Sequence, residues 1–372
     1  MEDKKMRAEK NLKIVRNIFI TLLIMFVVLL ISIFTIDKCK GSYEMKLLEE
    51  KGYINKVSVG DYNLNAYTFG KDNGKHTIVG MAGMGSTDFI ATITPVIEPL
   101  GEKNKVVIID RAGYGLSDDT MEAQTVDRII EDYRNALKSA GCKAPYVLMA
   151  HSLGGVYASY WQSLYPDEIE AVIYLDPTQI GDITFLEKEI ESWDANFSDF
   201  VSAVGCKMGL YRVYDAFEPL KPWYSAPKET LEHSKALWYH TPYSFAMYSE
   251  ADLCVENITK TYNSIKKNNV PKLYITANTN TKEDMLESFE YIKTIYDACG
   301  QEFVLDMSDE AEMNKLWEIR KTSADEMMKT SIQPYVDMLG NCTLVNIPGD
   351  HHIYLHKPQE VLDACNEFLD NL

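Results

Sequence analysis

The chain of 372 residues lacks paired cysteines, internal repeats and low-complexity segments. Its seven cysteines are scattered, odd in number and free of Cys-x-x-Cys pairs, which argues against a disulfide scaffold and against a zinc site. Basic residues are also scarce, with 37 lysines and arginines against 55 aspartates and glutamates and a net charge of -18. Phosphate backbones are bound by basic patches, so we do not expect nucleic acid as a partner.

One long uncharged run is present near the N-terminus. The 19 residues from Ile18 to Ile36 carry no charge, and at about 1.5 Å per helical residue they nearly match a hydrocarbon core of roughly 30 Å. A cleaved signal peptide and a buried core helix are the competing interpretations, but the run is long for a signal peptide and no small-x-small cleavage site accompanies it. We therefore predict a transmembrane helix at 18–36.

The charges that flank this run predict its orientation. The preceding tail, 1–17, has a net charge of +3, and the rest of the chain has a net charge of -21. By the positive-inside rule the tail is cytoplasmic, and the domain at 45–372 lies across the membrane, in an extracytoplasmic location. The prediction is a single-pass membrane protein.

Short apolar runs that alternate with helical segments predict the fold class. A hairpin pattern at Tyr53 to Phe69 precedes them, and a helix is predicted at Thr125 to Ala140, with Thr125 as its N-cap. Alternation of this kind indicates an α/β fold with a doubly wound, mostly parallel sheet, in which ligands bind at the carboxyl ends of the strands. The runs, each about five residues long as buried parallel strands are, are His76 to Met81, Lys105 to Ile109, Tyr146 to Met149, Ala171 to Leu175, Lys272 to Thr276 and Thr343 to Ile347.

Two long insertions interrupt the alternation. The first, at about 178–269, is rich in aromatic residues and predicts a helical cap, because ordinary connections are far shorter. Its aromatic side chains either line an apolar pocket or simply pack the cap. They are Trp193, Tyr211, Tyr214, Phe217, Trp223, Tyr224, Trp238, Tyr239, Tyr243, Phe245 and Tyr248. The role of the second insertion, at about 278–341, is left open.

A serine follows the third predicted strand in a sharp-turn motif. The sequence Ala150-His151-Ser152-Leu153-Gly154 joins a buried strand to a helix, as in a nucleophile elbow, although an ordinary strand-to-helix turn is the alternative. The N–H of Leu153 would be one donor to an oxyanion, and the glycine-rich loop after the first strand offers a second, that of Met84.

From about Tyr53 to its end, the chain resembles the α/β-hydrolase superfamily. The resemblance rests on four motifs: Asp110-Arg111-Ala112-Gly113-Tyr114-Gly115-Leu116-Ser117, Ala150-His151-Ser152-Leu153-Gly154-Gly155, Tyr165-Pro166-Asp167-Glu168, and Gly349-Asp350-His351 followed by Pro358. It implies a capped serine hydrolase of the esterase or lipase type, with nucleophile Ser152, base His351 and oxyanion donors Met84 and Leu153. It implies neither a metal nor a cofactor. His352 is the competitor of His351.

The acid of the triad is where the sequence departs from the commonest pattern of the superfamily. The turn after Lys272 to Thr276, where many members carry an aspartate, reads Ala277-Asn278-Thr279-Asn280, and asparagine cannot stabilise an imidazolium. Asp176, at the end of the preceding strand, is the preferred candidate, because some lipases and related bacterial hydrolases use that position. Asp284 or Glu283 is the alternative, and the absence of any acid is a third.

These residues predict hydrolysis of a small-molecule carboxylic ester through an acyl-enzyme. An epoxide hydrolase or a dehalogenase of the superfamily needs an aspartate at the elbow, where this chain has Ser152. An aminopeptidase and an acyltransferase of the same fold remain alternatives. So does a catalytically inactive binding domain tethered to the membrane.

Overall fold

The computed structural model describes residues 2–180, 201, 204–213, 215–218, 221, 228–241, 243–298 and 300–372. In this part of the chain, eight strands form one sheet in the order β1-β2-β4-β3-β5-β6-β7-β8. The strands are β1 (Lys56–Ser58), β2 (Asn63–Gly70), β3 (Thr77–Met81), β4 (Lys105–Asp110), β5 (Tyr146–Ser152), β6 (Ile169–Pro177), β7 (Lys272–Thr276) and β8 (Cys342–Asn346). Only β2 runs antiparallel to its neighbours, β1 and β4, and every other pair is parallel. The predicted hairpin and the six predicted strands are confirmed.

Helices follow the strands and cover both faces of the sheet. One face packs on α3, α4, α8 and α11, and the other packs on α2, α6, α12 and α13. Successive side chains of each strand alternate between the two faces: Val79 of β3 packs on the first and Ile78 on the second. The helices are α1 (Glu2–Glu50), α2 (Phe89–Gly101), α3 (Val126–Ser139), α4 (Leu153–Leu164), α5 (Leu210–Val213), α6 (Lys228–His240), α7 (Phe245–Asp252), α8 (Cys254–Ser264), α9 (Lys282–Ala298), α10 (Glu310–Met327), α11 (Gln333–Leu339), α12 (Ile353–His356) and α13 (Pro358–Asp370).

The local sequence explains where α3 begins and ends. The hydroxyl of Thr125 accepts a hydrogen bond from the N–H of Arg128 at 3.3 Å, so Thr125 is the predicted N-cap. Gly141 follows the helix with φ at +72°. Helix α3 thereby returns the chain to the start of β5, the strand that ends at Ser152.

The first insertion supplies helices α5 to α8, which form the described part of the cap. Its described aromatic rings pack on one another: Trp238 lies 5.1 Å from Tyr239, 6.1 Å from Tyr211 and 6.2 Å from Phe217, measured between ring centroids. These contacts favour packing of the cap as the main role of that group. Trp193, Tyr214, Trp223 and Tyr224 lie outside the described residues. The second insertion forms α9 to α11.

Helix α1 is continuous from Glu2 to Glu50 and contains the uncharged run. By length and composition alone it is able to cross a membrane. Its last turns belong to the folded domain, because Leu48 is fully buried and packs with the core on one face of the sheet. The uncharged run therefore joins the domain through helical backbone.

Candidate active site

Ser152 stands at a strained turn between β5 and α4. Its backbone has φ 52° and ψ -124°, a conformation that non-glycine residues rarely adopt. A Cβ added to Gly154 would lie 2.5 Å from the carbonyl oxygen of Met81, so the turn needs a glycine there, as the motif predicts. Because Leu153 is the first residue of α4, its N–H is among those that have no partner within the helix. This is the geometry of a nucleophile elbow.

His351 and Asp176 meet at the same edge of the sheet. The Nδ1 atom of His351 lies 2.7 Å from Oδ2 of Asp176. Asp176 is the second-last residue of β6, and its neighbour Pro177 pairs with Ser152 of β5. The side chain of His351 is 47 % exposed and that of Asp176 is 15 % exposed, so the imidazole borders solvent while the carboxylate lies beneath it.

Asp176, rather than Asp284, is the carboxylate that contacts this histidine. The other oxygen of Asp176, Oδ1, accepts a hydrogen bond from the N–H of Ala277 at 3.0 Å, which fixes the orientation of the carboxylate. Asp284 accepts hydrogen bonds from the backbone N–H groups of Asn280 and Thr281, at 3.1 and 2.8 Å, at the start of α9. The side chain of Asp284 therefore stabilises a helix terminus.

The turn after β7 contains no acid and is bonded to the end of β8 instead. The N–H of Asn278 donates to Oδ1 of Asn346 at 2.9 Å, and the amide of Asn346 donates back to the carbonyl of Asn278 at 2.8 Å. This reciprocal pair fastens the turn to the end of β8. The same turn supplies the Ala277 N–H that orients Asp176.

The neighbouring histidines are neutral and support the site. Nε2 of His151 lies 2.9 Å from the carbonyl oxygen of His351, and because a carbonyl only accepts, Nε2 carries the hydrogen. Burial, together with the rings of His351 and His352, holds the pKa of His151 well below its usual range. Burial lowers the pKa of His352 to about 3. His151 thus links the elbow to the backbone of His351.

The loop after β3 lies against the serine. A Cβ added to Gly83 would come within 2.9 Å of the Cβ of Ser152, so the loop that bears Met84 passes close to the elbow. Within the described part of the chain, the hydroxyl of Ser152 makes no hydrogen bond to His351. Hydrogen bonds between catalytic groups are often long in the absence of a substrate and tighten when one binds.

A buried arginine holds the same loop in place. Arg111 donates to the carbonyl oxygens of Ala82 and Gly83, at 2.6 and 3.0 Å. Its Nε lies 3.0 Å from Oε1 of Glu250 in α7, and both side chains are almost fully buried. The loop is thus bound to a carboxylate of the cap through one guanidinium group.

Tyr114 makes a second connection between this loop and Glu250. Its hydroxyl accepts from the N–H of Gly85 at 3.1 Å and donates to Oε2 of Glu250. Tyr157, in α4, also donates to Glu250, at 2.6 Å. Arg111 and Tyr114 belong to a motif that is recognisable in the sequence, but no feature of the sequence identifies Glu250, which lies 139 residues from Arg111.

A metal site is not evident in the described residues. Among them, no group of three or more His, Cys, Asp and Glu side chains is arranged to hold an ion. The six cysteines described there are free thiols, and Cys299 lies outside the described residues.

With this geometry established, the chain can be compared with known proteins. A family model described as the alpha/beta hydrolase family matches residues 78–364. The chain belongs to this family. The match spans β3 to α13 and therefore includes Ser152, Asp176 and His351.

Two uncharacterized bacterial proteins are similar in sequence to parts of the chain. The uncharacterized protein YbdG of Bacillus subtilis (strain 168) is 34% identical over 164 residues, 44% of this chain and 49% of the relative. The uncharacterized protein YqjL of the same organism is 31% identical over 117 residues, 31% of this chain and 45% of the relative. The chain thus spans about half the length of the curated relatives it matches.

Solved structures of family members share the fold. An epoxide hydrolase of Bacillus megaterium superimposes with a TM-score of 0.56 at 16% identity, covering 85% of this chain and 100% of that one. The enol-lactonase of Burkholderia xenovorans LB400 gives a TM-score of 0.53 at 14% identity, covering 85% of this chain and 100% of that one. At such low identities the likeness concerns the fold.

Proposed function

We propose that the chain is a membrane-anchored serine hydrolase that cleaves a carboxylic ester through Ser152, His351 and Asp176. The observation that supports this most directly is the 2.7 Å contact between Nδ1 of His351 and Oδ2 of Asp176, beside a serine on a strained elbow. In a triad, the carboxylate holds the histidine in the tautomer whose Nε2 accepts the proton of the serine.

The reaction proceeds in two steps. The Oγ atom of Ser152 attacks the ester carbonyl while His351 takes the proton of that hydroxyl. The imidazolium then gives this proton to the departing alcohol. Water, deprotonated by His351, next attacks the acyl-enzyme and releases the carboxylic acid and free Ser152. The N–H groups of Met84 and Leu153 hold the oxyanion in both steps. Arg111 fixes the loop that bears Met84, and this orients one of the two donors.

Active-site labelling tests the chemistry. A fluorophosphonate probe should modify the chain once, at Ser152, and Ser152→Ala should abolish the modification. A matched control is Ser159→Ala, a buried serine of α4 that follows the same elbow. An unlabelled native chain would support the inactive binding domain instead.

The substrate class requires a separate assay. A series of p-nitrophenyl esters with increasing acyl length should be hydrolysed, with a preference along the series that reports the size of the acyl site. If the chain is labelled at Ser152 but hydrolyses none of these esters, the substrate is a peptide or the acceptor is not water.

The membrane anchor is tested by fractionation. The uncharged run at 18–36 should retain the full chain in the membrane fraction after alkaline carbonate extraction. A chain that lacks residues 2–36 should appear in the supernatant. Release of the full chain by carbonate would contradict the anchor and leave the proposed chemistry intact.

A further inference from the structure

We propose that the cap rests on the bilayer that α1 crosses, so that aliphatic side chains around α5 contact the lipid surface. The location of the cap rests on the anchor of the proposed function, and its consequence for substrates rests on the proposed ester hydrolysis as well. It also narrows the substrate class to amphiphilic esters that partition into membranes.

The cap is clamped to α1 where the uncharged run ends. Arg212 of α5 donates through Nε to Asp37 at 2.6 Å and through its two terminal nitrogens to Glu44 at 2.7 and 2.5 Å. Only 7 % of the Arg212 side chain is exposed. Asp37 directly follows Ile36, the last residue of the run, and lies about one helical rise, or roughly 1.5 Å, beyond it along α1. The contact with Asp37 therefore holds α5 near the end of the run.

Close backbone packing reinforces this clamp. A Cβ added to Gly209 would lie 2.5 Å from the Cβ of Asp37, so the residue before α5 is pressed against α1. A second ion pair joins the cap to the residue that follows α1: Lys51 lies 2.9 Å from Glu229 of α6. Attachments at both ends of the segment from Asp37 to Lys51 fix the height of the cap relative to the run.

An apolar patch is exposed at this height. We define it as Val204, Leu210 and Val213, whose exposed fractions are 42%, 36% and 63%. The uncharged run of α1 is itself exposed, and the contacts of Arg212 and Gly209 with Asp37 place the patch near the end of that run. Large exposed apolar surfaces of this kind mark contacts with a membrane or a partner.

Exposed lysines lie on the two segments that carry the patch and its contact with α1. Lys38, next to Asp37, has 60 % of its side chain exposed, and Lys207, between two residues of the patch, has 55 % exposed. Lys40 is also exposed. Lys38 and Lys207 also pair with Asp37 at 3.3 Å and with Asp119 at 3.9 Å. On a chain whose net charge is -18, three exposed lysines on these two segments favour an anionic headgroup layer as the occupant.

A fluorescence experiment tests the location of the patch. An environment-sensitive fluorescent amino acid replaces Val213 in the full chain, which is reconstituted into vesicles of phosphatidylcholine and phosphatidylserine. Lipids with a nitroxide near the headgroup should quench this probe. The same probe at Val304, an exposed valine between α9 and α10, should not be quenched, and a probe at Phe26 should be quenched by a nitroxide deep in the acyl chain.

The outcomes at positions 213 and 26 separate the location of the cap from the membrane anchor. Quenching at 26 without quenching at 213 overturns the inference and leaves the anchor standing. Absence of quenching at both positions removes the anchor and the inference together. Fluorophosphonate labelling of Ser152, measured on the same vesicles, reports the proposed chemistry separately.

A kinetic experiment tests the consequence for substrates. The double variant Leu210→Glu with Val213→Glu should raise the KM for a long-chain ester dissolved in the vesicles roughly tenfold, because two charges weaken contact of the cap with the bilayer. Its kcat on a short, water-soluble ester should stay within about twofold of the native value, since both side chains lie on the exposed surface of the cap. If the double variant has the same KM for the vesicle-bound ester as the control Val304→Glu, the proposal that the substrate reaches the site from the membrane is wrong.

Discussion

Replacing Asp176 with asparagine tests the triad most sharply. The new amide would keep the contact with Ala277, because its Oδ1 can accept the N–H that Asp176 now accepts at 3.0 Å. Its Nδ2 would then face Nδ1 of His351, at the position of a carboxylate oxygen 2.7 Å away. An amide nitrogen only donates, so Nδ1 would have to accept and the hydrogen would move to Nε2. The imidazole would then be unable to take the serine proton.

The size of the effect follows from the same geometry. A carboxylate about 4 Å from the centre of an imidazolium stabilises it by about 4 kcal/mol at an effective dielectric constant of about 20, a value suited to a half-exposed ring. Each 1.36 kcal/mol is tenfold in rate, so kcat should fall by about three powers of ten. The wrong tautomer adds to this, and a total loss of about 10⁴ is expected.

The assay compares Asp176→Asn with Asp284→Asn. Steady-state hydrolysis of a p-nitrophenyl ester gives kcat, the rate of fluorophosphonate labelling reports the nucleophile alone, and thermal unfolding checks the fold. Asp284→Asn removes a charge at the start of α9, so it should cost about 1 kcal/mol of stability and leave kcat within about twofold. A loss at Asp284 equal to that at Asp176, or a kcat above one tenth of native in Asp176→Asn, would refute the reasoning.

Three further predictions concern groups around the triad. Glu250→Gln weakens the hold on Arg111, so kcat and the labelling rate should both fall about tenfold or more while KM changes little, and double-mutant analysis with Arg111→Met should show non-additivity. His351→Asn should abolish labelling, whereas His352→Asn should retain it, since the pKa of His352 is lowered by burial to about 3 and its charge never changes near neutral pH. Burial raises the pKa of Asp110 from 3.8 to about 7, so the folded state binds this proton more tightly than the unfolded state does. The free energy of unfolding should therefore decline as the pH rises from about 4 towards about 7. Asp110→Asn should remove that decline in chemical unfolding curves.

The architecture could be predicted from the sequence because each element has a strong local signal. Strand β7 matches its predicted bounds, Lys272 to Thr276, since a five-residue apolar run between turn residues has few other interpretations. Strand β5 was predicted to stop at Met149 but continues to Ser152. Pairing with β6 extends it, and that pairing depends on residues distant in sequence.

The candidate site could be predicted only where a motif is local. Ser152 and His351 each stand in a short recognisable turn, whereas the choice between Asp176 and Asp284 depends on distances across the sheet that no local pattern contains. Glu250 has no motif, because its partners are a loop 139 residues away and two tyrosines of the core. Long-range ion pairs of this kind become visible only in three dimensions.

The position of Asp176 beside His351 follows from how the strands on either side of β6 end. Strand β6 lies between β5, which bears Ser152, and β7, so a carboxylate at the end of β6 is adjacent to both the elbow and the β7 turn. The histidine loop follows β8 and extends over these strand ends, so His351 can contact an acid on β6 without displacement of its own backbone, which His151 holds through a 2.9 Å contact. Once Asp176 occupies that place, an acid in the β7 turn would put two carboxylates beside one imidazole, and their repulsion would raise the pKa of one of them. A turn of asparagines avoids this repulsion and supplies the Ala277 N–H that orients Asp176, so the residues of the β7 turn suit an acid on β6.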